Sequence, residues 1–181
     1  MTKPLLLLDV DGPLNPYGAK PTQRPDGYTT RHVRTGADGW HWAQSGKRSI
    51  RVWLNPAHGP MLLALTHLVD LAWATTWEHS ANRLVAPVVG LPQLPVIEFP
   101  SRGPFPFGQI WKRDAVEAYV GERAFAWLDD DFEPGDFEWA KTRTEDGIPT
   151  LLLHISLGIR QQDVDRVAGW AANIRELETT L

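Results

Sequence analysis

The chain has 181 residues, 43% of them apolar, and a mass of 20.3 kDa, which predicts one domain (1–181) with a full-sized core and no second domain. Its net charge of −4 argues against a generic nucleic-acid coat, and the absence of cysteine excludes disulfides, thiolate nucleophiles and thiolate metal sites. The apolar run Leu5–Leu8 is far too short for a membrane span and lacks a signal-peptide cleavage site, so the expectation is a cytoplasmic protein without membrane association or an obligate protein partner.

In chain order, Leu5-Leu6-Leu7-Leu8-Asp9-Val10-Asp11-Gly12-Pro13-Leu14-Asn15 comes first. Its apolar residues have no polar alternation and predict a strand buried on both faces in a parallel sheet. Gly12-Pro13 ends the strand, which leaves Asp9 and Asp11 where the sheet opens. Two acids that close repel each other unless a cation joins them.

From Pro16 to Ala57 the texture turns to Gly, Pro, Arg, Trp and Thr, with strand-like alternation at Tyr28–Arg34 and Ser49–Leu54. This predicts a small β-hairpin flap inserted after the first strand, over about 16–57. Lys20, Arg24, Arg31, Arg34, Lys47, Arg48 and Arg51 face Asp26 and Asp38 there, leaving the flap at +5 and the remainder at −9. The prediction is a basic flap on an acidic body.

Asn55-Pro56 introduces a helix over about His58–His67, and Val69–Ala74 reads as a second core strand ending at Thr75-Thr76-Trp77. A helix starting at Glu78-His79-Ser80 is expected to end near Gly90, with a short strand at Pro95–Phe99 and a proline-rich loop over Ser101–Phe107. Gln109–Val120 has helical spacing with Gly121 placed to end it, and Ala124–Leu128 is the next buried strand, leading into Asp129-Asp130-Asp131. A looser acidic and aromatic segment precedes a strand at Thr150–Ile155 and a closing helix over about Gln161–Ile174. Strands alternating with helices predict an α/β fold with a three-layer, Rossmann-like parallel sheet.

Asp9 with Asp11, Thr75, Asp129 with Asp130, and Lys112 on the helix before the acid pair all fall at or beside strand exits on one edge. That order resembles the haloacid dehalogenase-like superfamily of phosphotransferases and hydrolases. Its first motif matches Asp9-Val10-Asp11-Gly12, its second Thr75 with Thr76 as the neighbouring alternative, its third Lys112 with Arg113 as the lesser stand-in, and its fourth Trp127-Leu128-Asp129-Asp130. The resemblance implies a Mg²⁺ cofactor held by Asp9, Asp11 through its backbone carbonyl, and Asp129, with Asp130 orienting the shell. Asp9 would be the nucleophile that forms an aspartyl-phosphate, Asp11 the general acid and base, Thr75 a hydrogen-bond donor to the phosphoryl group and Lys112 its counter-charge. An acid at Asp11 implies phosphomonoester hydrolysis rather than carbon–halogen cleavage.

A flap this short implies an open site that accepts a phosphorylated small molecule, a nucleotide or a nucleic-acid end. Arg31, Arg34, Arg48 and Arg51 with Trp40, Trp42 and Trp53 would suit the last two, guanidinium groups holding phosphate and indoles stacking on bases. The competing reading of the flap is a satellite core with a solvated arginine face. For the whole chain the alternatives are a catalytically degenerate nucleotide- or protein-binding domain and a phosphoacceptor signalling domain. His79 and His154 read as structural, and Glu133, Asp136 and Glu138 as a solvated acidic loop.

Overall fold

A computed structural model describes residues 2–16, 18–19, 23–33, 49–99 and 111–180. Four parallel strands, β1 (Leu5–Leu8), β4 (Asp70–Trp73), β5 (Phe125–Asp129) and β6 (Thr150–His154), form a sheet in the order β4-β1-β5-β6. β2 (Thr29–Val33) and β3 (Ile50–Leu54) form a separate antiparallel hairpin. The protein is thus α/β, with an arrangement compatible with a Rossmann-like sheet.

The unbroken leucines of β1 are explained by two cores. Leu6 and Leu8 enter one apolar cluster with Leu62, Val85, Val89, Val164 and Val167, while Leu5 and Leu7 enter another with Val116, Val120 and Ala140. Alternate residues of a strand point to opposite faces, so a strand covered on both needs apolar residues at every position. The first face carries α1 (His58–Leu63), α2 (Ala86–Val89) and α5 (Gln161–Thr180); the second carries α3 (Trp111–Val120) and α4 (Pro134–Glu145). The hairpin joins the first cluster through Val33, Val52 and Leu54.

Several expectations need correction. The helix predicted to His67 stops at Leu63 and continues as turns, and a π-helical turn at Ala81–Val85 leads into α2. Pro95–Phe99 is not a strand; only Val96 bridges to Trp73, because prolines at 92 and 95 withhold donors. The closing helix runs on to Thr180. The acidic segment after β5 contains the unpredicted α4, whose buried residues are Asp136, Ala140 and Arg143 while Phe137 is exposed, so it has no apolar stripe to read. Its start is marked instead by a reciprocal cap between Glu133 and Asp136, with Pro134 in the first turn. The loop predicted over 101–107 and the start of α3 at Gln109 lie outside the described residues.

The hairpin is anchored at its base by Tyr28, whose hydroxyl lies 3.3 Å from Nε2 of the fully buried His58, the two rings meeting edge to face. Gly158 has a φ of +88°, and a side chain there would run into the Tyr28 hydroxyl. Burial pushes the His58 imidazole down to about 4 from 6.5. A histidine that stays neutral when folded but takes a proton when unfolded below pH 6.5 makes stability fall as pH drops from 6.5 towards 4, by up to about 3 kcal/mol. Chemical denaturation of the wild type and of His58→Gln at pH 7.5 and 4.5 checks this. The wild type should lose more stability than the variant; parallel losses would show that His58 is protonated in the fold.

Candidate metal and phosphoryl site

The strand register fixes the site. Leu8 pairs with both Trp73 and Leu128, so Asp9 emerges beside Asp129, with Thr75 just beyond the end of β4. The ladder extends past the named strands through Asp9 N–H to Leu128 O and Ala74 N–H to Leu8 O, both 2.9 Å, which holds these exits rigidly in place. Parallel strands place such exits on one edge of the sheet, where crevices form.

At that edge one carboxylate oxygen each from Asp9, Asp129 and Asp130 lies within 4.8 Å of the others, the one cluster of this kind among the described residues. Asp9 and Asp129 are buried and Asp130 partly so. Lys112, in the first turn of α3, donates to Asp9 Oδ2 at 2.9 Å and to Asp129 Oδ2 at 2.8 Å. Burial disfavours its ammonium, but the two carboxylates outweigh that and hold its pKa above the ordinary lysine value. Asp129 is raised well above the carboxylate range by burial and by Asp9, against the opposing pull of Lys112; Asp130 is raised by burial and then Asp9. The upward shifts show that the three acids resist ionising together beside a single ammonium; with all three ionised the site would carry two net negative charges, which a divalent cation with a preference for oxygen ligands would cancel.

Asp11 is placed differently. Its carboxylate lies outside that cluster, its Oδ1 accepting from Asn15 Nδ2 at 2.7 Å and its Oδ2 from Trp77 Nε1 at 2.9 Å. Burial, followed by the charge of Asp9, raises its pKa to about 6 even though both hydrogen bonds oppose the shift. The turn that carries it closes through Gly12 N–H to Asn15 O at 2.7 Å. Gly12 has a φ of +84°, and a Cβ there would lie 2.5 Å from Asp130 Cγ and from Ile155 O, so no other residue fits between the two acidic segments. Asn15 and Trp77 had no predicted role. Their signal was position alone: Asn15 ends the turn begun at Asp11, and Trp77 stands two residues past Thr75.

Thr75 is fully buried, and its Oγ1 accepts from Val10 N–H at 3.4 Å and Trp77 N–H at 3.3 Å; its own hydrogen remains available for donation. Thr76 follows at the same rim, partly exposed. On the hairpin, the residues expected to bind substrate divide. Arg31 pairs with Val52 and shares its face with Val33, whereas Arg51 pairs with His32 on the face that carries Trp53. Trp53 is buried, with the Arg51 guanidinium 4.9 Å from its ring centroid, so it offers no open face for base stacking. Arg34, Trp40, Trp42 and Arg48 lie outside the described residues. His79 meets Glu98 at 3.0 Å on the surface, away from the acid cluster.

No protein-family model matches the chain, and no curated protein matches it.

If the three acids hold a divalent cation, Mg²⁺ at about a hundred times its Kd should stabilise the wild type by about 2.7 kcal/mol, and Asp129→Asn should remove most of that gain. Thermal unfolding with Mg²⁺ or with chelator measures both, and a midpoint indifferent to Mg²⁺ would rule the site out. Lys112→Met in chelator should cost about 3–5 kcal/mol, because it strands two buried carboxylates side by side.

Proposed function

We propose that the protein is a Mg²⁺-dependent phosphohydrolase of the haloacid dehalogenase-like type, acting on phosphate monoesters through an aspartyl-phosphate. The observation that carries this reading is Lys112 donating to both Asp9 and Asp129, with Asp130 completing an acid triad at the strand exits. A structural ion pair needs one acid for one ammonium. Three acids around a single lysine, beside a fourth held apart, suit a site that accepts a cation and a phosphoryl group together.

Asp9, Asp129 and Asp130 would hold the cation. When bound, Mg²⁺ would supply charge stabilisation at the phosphoryl oxygens. The remaining chemistry belongs to the chain. Asp9 attacks phosphorus, and a carboxylate–phosphorus bond forms as the bond to the leaving oxygen breaks. Asp11, poised near neutral pH, gives its proton to that oxygen and then, as a carboxylate, takes one from the water that attacks phosphorus and frees Asp9. Lys112 keeps the Asp9 carboxylate fixed and offsets charge on the transferring group, while Thr75, or the more exposed Thr76 beside it, would donate a hydrogen bond to a phosphoryl oxygen.

The substrate class is a phosphate ester reached from solvent, either a small molecule or a nucleotide or nucleic-acid end. With Trp53 buried, a contribution of the described part of the flap to recognition would come from the exposed charges of Arg31 and Arg51 rather than from stacking on that indole.

Phosphate release from p-nitrophenyl phosphate in Mg²⁺ tests the activity, and a panel of phosphorylated metabolites and 5′- and 3′-phosphorylated oligonucleotides tests the substrate. Asp9→Asn should lower kcat at least about a thousandfold with the fold intact. Wild-type turnover in that variant would remove Asp9 as nucleophile.

A further inference from the structure

We propose that Asn15 and Trp77 are positioning residues that hold the Asp11 carboxylate out of the cation-binding triad and aim it at the leaving oxygen, with Asn15 tying this acid to the hairpin. The inference rests on the phosphohydrolase reading above. Asp11 stands two residues from Asp9, and a freely turning carboxylate there would be drawn to any divalent cation the triad binds. An acid committed to a metal cannot also carry a proton to a leaving group.

Both of its oxygens are instead engaged by neutral N–H donors, Asn15 Nδ2 at 2.7 Å and Trp77 Nε1 at 2.9 Å. Neutral donors fix orientation without cancelling the charge, and each oxygen keeps a lone pair free for a proton. The Asn15 amide is itself fixed in direction. Its Oδ1 accepts from Trp53 N–H at 3.0 Å, so its Nδ2 must face the carboxylate. A single side chain thereby connects Asp11 to the backbone of β3.

Trp77 is held as firmly. Its indole is buried, its backbone N–H donates to Thr75 Oγ1, and the next residue, Glu78, takes a φ of +44°, rare for a residue with a side chain. Glu78 is kept there by its N–H on Thr75 O at 3.0 Å and by its Oε1, which accepts from Phe99 N–H at 3.2 Å. A strained turn locked at both ends places the indole N–H against Asp11.

The discriminating variants separate the link from the fold. Trp77→Phe removes the indole N–H and keeps a smaller aromatic ring in its place. Asn15→Asp keeps an oxygen for Trp53 N–H but turns the donor facing Asp11 into an acceptor. With the full-length protein in Mg²⁺, kcat is measured on an aryl phosphate, whose leaving group departs without a proton, and on an alkyl phosphate, whose leaving group needs one. Each variant should lose at least about tenfold more on the alkyl ester, since a positioned general acid contributes about 10²–10⁴-fold. Equal losses on the two esters, or none on the alkyl ester, would overturn the proposal.

A second readout does not depend on turnover. In calorimetry, Trp77→Phe, alone and combined with Asn15→Ala, should bind Mg²⁺ at least about tenfold more tightly, because the released carboxylate joins the triad and ligand charge sets affinity. Unchanged affinity in a folded variant would overturn the proposal as well. A wild type inactive on both esters whose variants still bind Mg²⁺ more tightly would end the phosphohydrolase reading and keep Asn15 and Trp77 as the residues that withhold Asp11 from the ion.

Discussion

The Lys112 ammonium seated between Asp9 and Asp129 is the constraint on which this edge of the sheet depends. The parallel ladder forces both carboxylates out of adjacent strands at one level, and neither can retreat without breaking register. At about 4 Å two like charges repel by about 4 kcal/mol in a medium of intermediate dielectric, so the sheet cannot be completed in this register with both acids ionised and unpaired. One lysine from the helix on the second face resolves this and in doing so fixes where α3 must begin relative to β5. The arrangement joins residues 103 positions apart, so it forms only when the sheet does.

Around that pair, four acids sit in different environments. Asp129 is the most deeply buried, Asp130 sits at the partly open margin, and Asp11 is turned aside by two neutral donors. Burial raises all three, yet Asp11 alone is engaged at both oxygens by groups that carry no charge. Carboxylates whose surroundings separate their protonation can share a site and still perform distinct tasks. The separation comes from backbone geometry: Gly12 allows the turn to pass within van der Waals reach of Asp130 and Ile155, and the turn then carries Asp11 away from the line of Asp9.

Where periodicity and chemistry pointed the same way, the sequence was legible. A strand of four leucines can only be covered on both faces, and the residues ending β1, β4 and β5 are brought to one rim as their positions implied. α4 was hidden because it buries Asp136 and Arg143 beside Ala140, and a helix held by a polar cap and a buried guanidinium carries no apolar rhythm. Arg143 donates to Gly121 O and Thr150 Oγ1 and lies over the Phe125 and Trp139 rings, contacts that exist only after folding. The partners of Asp11 were hidden for the same reason: Trp77 Nε1 meets it across 66 positions, and nothing local marks that meeting.

The hairpin is joined to the fold by contacts that its composition alone does not reveal. Its arginines and tryptophans allowed two readings, a surface that grips phosphate and stacks bases or a satellite core with a solvated arginine face; cross-strand pairing puts Arg31 and Arg51 on opposite faces and burial removes Trp53 from solvent, while Arg34, Trp40, Trp42 and Arg48 lie outside the described residues. What the described residues of the hairpin contribute to this edge of the sheet is a set of fixed contacts. Val33, Val52 and Leu54 anchor it in the core, Tyr28 locks its base against His58, and the Trp53 N–H passes that rigidity through Asn15 to Asp11. The described strands of the hairpin are thus tied down at base and edge, and a side chain held by such supporting contacts, as Asn15 is by the Trp53 N–H, keeps its direction toward Asp11.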